Sequence, residues 1–377
     1  MSEELARGLE GVTVAETRLS RIDGENGDLI VAGFPIEELA PNATFEEVLF
    51  LLHEDRLPTR DELDAFRTDL ASRRAVADEA IATVRRAADE GQDAMDALRM
   101  GIAAATLGRD HEEDPREDAL DAVAKMPTLA AAYKRATEGK EPVEPRTDLR
   151  HAANYLHLLT GEDPNEAAAR GLETYLNTVV DHGLNASTFT ARTIVSTESD
   201  VVSAVTGAVG ALKGPLHGGA PGPVLDMIEE AHERGEPEKV LREELDEGKR
   251  LMGFGHRVYK TRDPRAAVLE NAAKSFYEGE GSAFFESARE TERVGVELLA
   301  ERKPDLNLST NVEFYTAVLL RGVGVPRNLF SPTFAVGRSA GWTAHCLEQL
   351  EDNRLIRPRS RYVGGEDRTW TAVEDRE

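Results

Sequence analysis

The chain has 377 residues, 40% of them apolar, which is enough to bury a sizeable core and to form two domains. Its 70 Asp and Glu residues outnumber its 45 Lys and Arg residues, which gives a formal net charge of -25. This excess argues against binding to nucleic acid or to an anionic membrane surface, since both are themselves negatively charged. Ordinary solubility would also explain the acidity, but only nine of the basic residues are lysine, so we favour a surface that stays hydrated in concentrated salt.

The single cysteine, Cys346, cannot form an intramolecular disulfide. Because the N-terminal residues also lack the apolar stretch of a secretory signal, we expect a cytoplasmic protein. None of the apolar runs approaches the roughly 18 residues that a membrane span needs. The sequence has neither a cysteine cluster nor paired histidines at ligand spacing, and it lacks the glycine fingerprints of nucleotide-binding loops. We therefore expect no metal and no cofactor.

Residues 1–40 are the least helical part of the chain. Val12, Val14 and the apolar run 28–32 flank Gly24 and Gly27, a pattern that predicts a short hairpin or meander.

Helices dominate after this segment, with apolar residues recurring at spacings of three and four. Local signals mark several of their ends: capping boxes at Thr44 with Glu47 and at Thr59 with Glu62, a glycine stop at Gly161, and an N-cap at Asn165.

The stretch 199–213 differs in kind, because Ser203, Gly207 and Gly210 recur among apolar residues on all sides. A helix that is apolar all round is buried, and small residues let a second helix approach closely. The pattern predicts a buried helix at a subunit or domain interface.

Shorter, charged amphipathic helices with Gly and Pro breaks follow from about residue 215. This change predicts a smaller helical domain at residues 215–324, inserted into a large domain of residues 1–214 and 325–377. We expect an all-α fold with a small N-terminal β hairpin.

Residues 252–265 carry the clearest sign of a site. Gly253 and Gly255 permit a shaped loop ahead of His256, since glycine adopts backbone conformations that other residues avoid. Four cations follow within nine residues of that histidine: Arg257, Lys260, Arg262 and Arg265. Positive charge in such an acidic chain favours an anionic small molecule, whereas the alternative is a solvated basic turn before the helix that Pro264 opens.

Further polar groups stand at predicted helix breaks or in apolar surroundings: His182, His217, Glu313, Arg338 and Arg357. A histidine close to a helix N-terminus, as His217 is, is pushed towards its neutral form and can donate a hydrogen bond to a carbonyl. Taken singly, each residue is more often a cap, a core histidine or a surface arginine. Together they indicate a site for an anionic ligand.

These stretches resemble the citrate synthase family along nearly the whole chain, most closely its second or minor, Glu-containing branch. The matching motifs, in order, are Ile22-Asp23-Gly24, Gly33-Phe-Pro-Ile-Glu-Glu-Leu-Ala, Asp181-His-Gly-Leu-Asn-Ala-Ser-Thr, Gly214-Pro-Leu-His-Gly-Gly-Ala, Gly253-Phe-Gly-His-Arg-Val-Tyr-Lys with Asp263-Pro-Arg, Asn311-Val-Glu-Phe-Tyr and Arg357-Pro-Arg. The resemblance implies an all-α homodimer whose active site lies in the cleft between its two domains. It also implies condensation of acetyl-CoA, as a substrate, with oxaloacetate and water to give citrate and CoA.

The resemblance assigns three catalytic residues. His217 would hydrogen-bond the thioester carbonyl as acetyl-CoA enolises, Glu313 would remove the methyl proton, and His256 would polarise the oxaloacetate ketone. A set of four residues would bind the oxaloacetate carboxylates, the last of them from the partner subunit: His182, Arg265, Arg338 and Arg357. One segment would lie along CoA: Arg250, Leu251, Met252, Gly253 and Phe254.

Three residues depart from the family pattern: Glu313 replaces Asp, Pro221 replaces Asn, and Val179 replaces His. A shift of about 1 Å in a catalytic group can cost roughly 10²-fold in rate, so the longer Glu313 raises the alternative of a catalytically silent binding protein. A second alternative is 2-methylcitrate synthase, which uses propionyl-CoA. One methyl group is worth only about 1–3 kcal/mol in a pocket, so the sequence leaves the acyl donor open.

Overall fold

The computed structural model describes residues 5–105, 107, 114–218, 221–255, 258–259, 261–278, 282–303 and 308–376. Over these residues the fold is all-α with one small sheet, as predicted. The helices are α1 Ile36–Asn42, α2 Phe45–Glu54, α3 Arg60–Ser72, α4 Asp78–Asp89, α5 Ala94–Ala104, α6 Pro115–Thr137, α7 His151–Thr160, α8 Glu166–Thr178, α9 Ala186–Val195, α10 Val201–Leu212, α11 Pro221–Arg234, α12 Pro237–Asp246, α13 Pro264–Tyr277, α14 Ser282–Arg302, α15 Val312–Gly322 and α16 Phe330–Glu351. Among the helices described, none is both long and apolar enough to cross a bilayer.

The sheet is an antiparallel meander. β1 (Ser20–Asp23) pairs with β2 (Asp28–Val31), which pairs with β3 (Phe34–Pro35). The predicted hairpin is confirmed, but Val12 and Val14 lie outside the strands and are exposed. The third strand comes instead from the residues just before α1.

The predicted helix signals are present. Thr44 and Thr59 each accept from the backbone N–H three residues on, and the glutamate at that position bonds back to the cap. The Gly161 backbone is left-handed, with φ of 84°, where α7 ends. Asn165 caps α8 by accepting from two backbone N–H groups. Local sequence is therefore sufficient to place these boundaries.

The helix α16 lies at the centre of the larger packing unit. It contacts α2, α5, α6, α8, α9 and α10, and it is buried along most of its length. The helices α11 to α15 pack largely on one another, while α13 and α15 also contact α8. Thus α8 is packed against both α16 and the α13–α15 pair.

The helix α10 is not buried on every side within the single chain. Ser203 and Gly210 are exposed in the single chain. Gly207 faces α9 instead, where an added Cβ would overlap Ile194. The close approach that small residues permit is therefore made within the chain, and burial of the exposed face by a partner stays a prediction.

The β1–β2 turn packs tightly on Val258, Thr261 and Arg262. A Cβ at Gly24 would overlap the carbonyl oxygen of Val258. Gly27, with φ of +76°, would place a Cβ 2.5 Å from Thr261 Oγ1. Both glycines are needed because the two backbones lie almost in contact, so the turn holds this loop in place.

We expect Gly24→Ala to lower the free energy of unfolding by about 1–3 kcal/mol, because the added methyl group must push the Val258 backbone away. Chemical denaturation followed by circular dichroism measures this change. Glu25→Ala is the control, since Glu25 is exposed in the same turn and its truncation should change stability by less than about 0.5 kcal/mol. Equal stability of the two variants would contradict the tight packing.

Candidate active site

Five of the expected site residues come from four helix ends and one helix interior. His182 follows α8, His217 follows α10, Arg265 lies in the first turn of α13, and Glu313 lies in the first turn of α15. Arg338 lies within α16. Their charges interact: Arg338 acts on His217 and on Arg265, and Arg265 acts on Glu313. The fold therefore brings together residues as far apart in the chain as His217 and Arg338, which are separated by 121 positions.

His217 is held by the beginning of α9. Its Nε2 lies 2.7 Å from Ser187 Oγ and 3.3 Å from the Ser187 backbone nitrogen. The Ser187 hydroxyl is itself fixed, since it accepts from Trp342 Nε1 at 3.0 Å and lies 2.8 Å from Asn185 Oδ1, so its single hydrogen can be directed to either Asn185 or Nε2. A backbone N–H can only donate, so Nε2 is the acceptor and the ring proton resides on Nδ1.

The same imidazole is neutral over the physiological pH range. Burial, together with the positive charge of Arg338, lowers the pKa of His217 to about 4. A neutral ring with its proton on Nδ1 can donate a hydrogen bond to the substrate without carrying a positive charge. This suits it to stabilise a carbonyl oxygen that gains negative charge.

Glu313 is a carboxylate whose environment favours its protonated form. Its backbone N–H donates to Asn311 Oδ1 at 3.0 Å, which caps α15. Burial raises the pKa of Glu313 to about 7, although nearby Arg265 partly opposes this rise. A carboxylate with a pKa near 7 is a stronger base than an ordinary carboxylate in water. It is still partly ionised at neutral pH, so it is well suited to remove a weakly acidic proton.

Arg265 and Arg338 carry buried positive charge into the same region, with side chains in residues that are only 4% and 1% exposed. Arg265 is paired, through its Nε and Nη2, with both oxygens of Asp263 at 3.0 and 2.8 Å. Arg338 donates from Nε to the Val179 carbonyl at 2.6 Å and lies over the Phe334 ring.

Arg338 differs from Arg265 in having no carboxylate within 4.0 Å among the residues that the structure describes. Burial lowers its pKa to about 10, so it is still charged at neutral pH. A buried guanidinium without an ion pair is costly. The charge of Asp181 offsets part of this cost, and an anionic ligand would offset more of it. This is the strongest sign that the site takes an anion.

A second buried network fixes the chain turn that presents His182. Asp181 accepts from Ser20 Oγ at 2.5 Å, and its other oxygen lies 3.2 Å from His345 Nε2. The Gly183 backbone N–H donates to the same Ser20 hydroxyl at 2.9 Å. The backbone on both sides of His182 is therefore tied to β1 and α16.

The segment expected along CoA is only partly available for contact. Arg250 is exposed and Met252 is half-buried, but Leu251 and Phe254 are buried. The Phe254 ring packs edge-on against Phe314, with ring centroids 5.6 Å apart. Leu251 and Phe254 therefore anchor the segment, and Arg250 is the side chain it presents to solvent.

Asn311 ties this segment to the helix that carries Glu313. Its backbone N–H donates to the Gly253 carbonyl at 3.0 Å, and its side chain donates to the Gly255 carbonyl at 2.9 Å. Gly253 has φ of +88°, and an added Cβ would lie 3.0 Å from Phe314. Asn311 was not among the expected site residues, although its place in the Asn-Val-Glu-Phe-Tyr motif marked it.

Two expected residues are not placed in this site by the single chain. His256 lies outside the described residues, as does the side chain of Pro221. Arg357 is exposed, and the preceding backbone N–H of Ile356 bonds to Ser196 at the end of α9. Ser196 is nine residues from Ser187, or about 14 Å along the helix.

Within the described part of the chain, no group of three or more His, Cys, Asp and Glu side chains is arranged to hold a metal ion.

Comparison with known proteins gives consistent matches over the full length. The family described as citrate synthase, C-terminal domain, matches residues 8–359. A citrate synthase of Haloferax volcanii is 45% identical, with both chains covered completely. Citrate synthase 2 of Bacillus subtilis is 41% identical over 98% of this chain and 99% of its own. A 2-methylcitrate synthase of Mycobacterium tuberculosis is 36% identical over 97% of this chain and 92% of its own.

The fold matches as well as the sequence. The citrate synthase of Thermoplasma acidophilum, solved as a ternary complex with carboxymethyl coenzyme A and oxaloacetate, superposes with a TM-score of 0.88. It is 30% identical, and both chains are covered completely. Sequence, fold and the ordered motifs agree, and the chain belongs to the citrate synthase family.

Proposed function

We propose that the protein condenses acetyl-CoA with oxaloacetate and water to give citrate and CoA. The observation that carries this proposal is that a neutral imidazole donor, His217, and a half-buried carboxylate of raised pKa, Glu313, belong to the same group of interacting charges as the buried cation Arg338. Enolisation of a thioester needs the first two groups, and a dicarboxylate needs the third. Arg265 and His182 complete the proposed carboxylate-binding set.

In the first step Glu313 takes a proton from the methyl group of acetyl-CoA. The electron pair of the broken C–H bond moves towards the thioester oxygen, which accepts a hydrogen bond from His217 Nδ1. Because His217 is already neutral, it meets the growing negative charge without first having to lose a proton. The enol or enolate is thus stabilised inside a water-poor pocket.

In the second step the enolate carbon forms a C–C bond with the ketone carbon of oxaloacetate. The ketone oxygen gains the electron pair and is protonated, a role that family resemblance gives to His256. Arg265, Arg338 and His182 hold the two carboxylates so that the ketone faces the enolate. Water then cleaves the thioester, releasing CoA and citrate.

Propionyl-CoA is the alternative acyl donor. The 2-methylcitrate synthase of M. tuberculosis, at 36% identity, is more distant than the citrate synthases of H. volcanii and B. subtilis, at 45% and 41%. CoA-thiol release with oxaloacetate, measured with acetyl-CoA and propionyl-CoA side by side, tests the proposal. We expect a higher kcat/KM with acetyl-CoA. A preference for propionyl-CoA would favour 2-methylcitrate synthase, and no release with either thioester would favour the silent binding protein.

Replacing the base separates chemistry from binding. Glu313→Gln keeps the size of the side chain but cannot accept the proton, so kcat should fall by roughly 10²- to 10⁴-fold while oxaloacetate affinity stays nearly level. Glu233→Gln is the matched control, since Glu233 is an exposed glutamate on α11. Full activity in Glu313→Gln would show that another group is the base.

The raised pKa of Glu313 also predicts the pH profile. Glu313 accepts a proton only when ionised, so kcat/KM should rise with pH and level off above a midpoint of about 7. Initial rates measured from pH 5 to pH 9 at constant ionic strength give this midpoint. A profile that is already flat from pH 5 would mean that Glu313 titrates like an exposed carboxylate.

We further propose that the protein is a homodimer in which Arg357 completes the partner's site. None of the described side chains from residue 354 to residue 376 is buried, yet this tail carries several large apolar groups: Leu355, Tyr362, Val363 and Trp370. Exposed apolar groups of this size on a terminal segment mark a protein contact. The exposed small-residue face of α10 supplies a second surface for a partner.

Mixed dimers test the position of Arg357. Arg357→Ala and Glu313→Gln homodimers should both be nearly inactive, but co-expression creates dimers in which one site has an intact Glu313 and receives Arg357 from the other chain. Random pairing should restore about a quarter of the normal activity if Arg357 acts across a twofold dimer. No restoration would show that Arg357 serves its own chain.

Other features remain proposals. We propose the domain boundaries at residues 215 and 324, supported by the mutual packing of α11 to α15. The lone buried Cys346 supports a cytoplasmic protein that needs no disulfide. The acidic, lysine-poor composition supports function in concentrated salt.

A further inference from the structure

One aromatic side chain contacts two of the proposed oxaloacetate-binding residues. The Tyr259 hydroxyl lies 3.1 Å from His182 Nε2. The guanidinium carbon of Arg265 lies 6.0 Å from the centre of the Tyr259 ring. Tyr259 is 3% exposed, so both contacts are made away from solvent.

The backbone around Tyr259 is fixed from the opposite side. Val258, the preceding residue, lies against Gly24, and Thr261 lies against Gly27. These contacts with the β1–β2 turn leave little room for the tyrosine to shift. The N-terminal hairpin therefore sets the position of the Tyr259 hydroxyl, although the hairpin is distant in sequence from the proposed catalytic residues.

The His182 ring needs such a partner because it lies outside a helix. Its ring meets the Tyr259 ring edge to face, with centroids 5.7 Å apart and planes at 68°. The hydrogen bond between Nε2 and the Tyr259 hydroxyl then fixes the rotation of the imidazole. Without the hydroxyl, the ring could still pack, but its donor direction would no longer be specified.

The Arg265 side chain is oriented by two groups of different kinds. Asp263 accepts from its Nε and Nη2, which fixes one edge of the guanidinium. The Tyr259 ring lies near its face, where a cation is attracted to the aromatic system. The charge of Arg265, held in this way, also acts on Glu313.

We propose that Tyr259 is a positioning residue for oxaloacetate: it orients His182 through its hydroxyl and Arg265 through its ring. The inference rests on the proposed function, because it concerns the binding of that substrate. Because the two groups that Tyr259 orients both belong to the proposed oxaloacetate-binding set, we expect it to act on the affinity for oxaloacetate and to leave proton removal from acetyl-CoA unchanged.

The first test is Tyr259→Phe, which removes the hydroxyl and keeps the ring. We expect the KM for oxaloacetate to rise by about 3- to 30-fold, as for loss of one buried hydrogen bond, with kcat and the KM for acetyl-CoA within about twofold of the parent. Tyr259→Leu also removes the ring and should raise the KM for oxaloacetate further.

Tyr133→Phe is the matched control, because Tyr133 is a buried tyrosine whose hydroxyl donates to the Gln92 carbonyl at 2.8 Å in another part of the fold. It removes the same group and should leave every kinetic constant unchanged. Melting temperatures of both variants separate a loss of stability from a loss of positioning. An unchanged KM for oxaloacetate in Tyr259→Phe, or a fall in kcat alone, would overturn the proposal.

Calorimetric titration of oxaloacetate, without any thioester, keeps this test independent of the overall reaction. The parent protein should bind oxaloacetate more tightly than Tyr259→Phe by the same factor as the change in KM. If the parent binds oxaloacetate but releases no CoA, the proposed function fails while the role of Tyr259 is still measured. Equal affinities of parent and variant would refute the role of Tyr259 alone.

Discussion

The hydrogen bond from the Ser187 backbone N–H to His217 Nε2 is the contact on which the proposed chemistry depends most. It assigns the ring proton to Nδ1 and so turns His217 into a donor towards the substrate carbonyl. The donor is available because Ser187 lies in the first turn of α9, where backbone N–H groups have no partner within the helix. Trp342 and Asn185 then hold the Ser187 hydroxyl, so the contact links three separate parts of the chain.

Burial is the common cause of the unusual electrostatics at the site. Removing water lowers the pKa of His217 to about 4, raises that of Glu313 to about 7 and lowers that of Arg338 to about 10. Each shift disfavours the charged form, as expected for groups with little solvent. One physical condition thus yields a neutral donor, a carboxylate that titrates near neutrality and a cation in need of an anion.

Much of the fold could be predicted from local sequence. Some features depend only on neighbours within a few residues: the capping boxes, the Gly161 stop and the turn at Gly24 and Gly27. The structure has all of them. The partial exposure of α10 was not predictable, because composition does not tell which face a second helix covers. Long-range packing decides which residues each helix covers.

The same distinction between local sequence signals and long-range contacts applies to the candidate site. The histidines, Glu313 and the arginines stand in recognisable motifs, whereas the part played by Tyr259 depends on contacts with His182, 77 residues away, and with the glycines of the β1–β2 turn. Asn311 and Ser187 also lay within the motifs, but their partners are distant in the chain. Residue type at a given spacing predicts chemistry, while the supporting contacts require the fold.

The protonation state of His217 is the most direct measurement of the central claim. Nitrogen NMR of the histidine-labelled protein, with His217→Gln for assignment, reports which ring nitrogen carries the proton at each pH. The account predicts a neutral ring with its proton on Nδ1 down to a pH of about 4. A ring that gains charge near the ordinary pKa of about 6.5, or that carries its proton on Nε2, would contradict it.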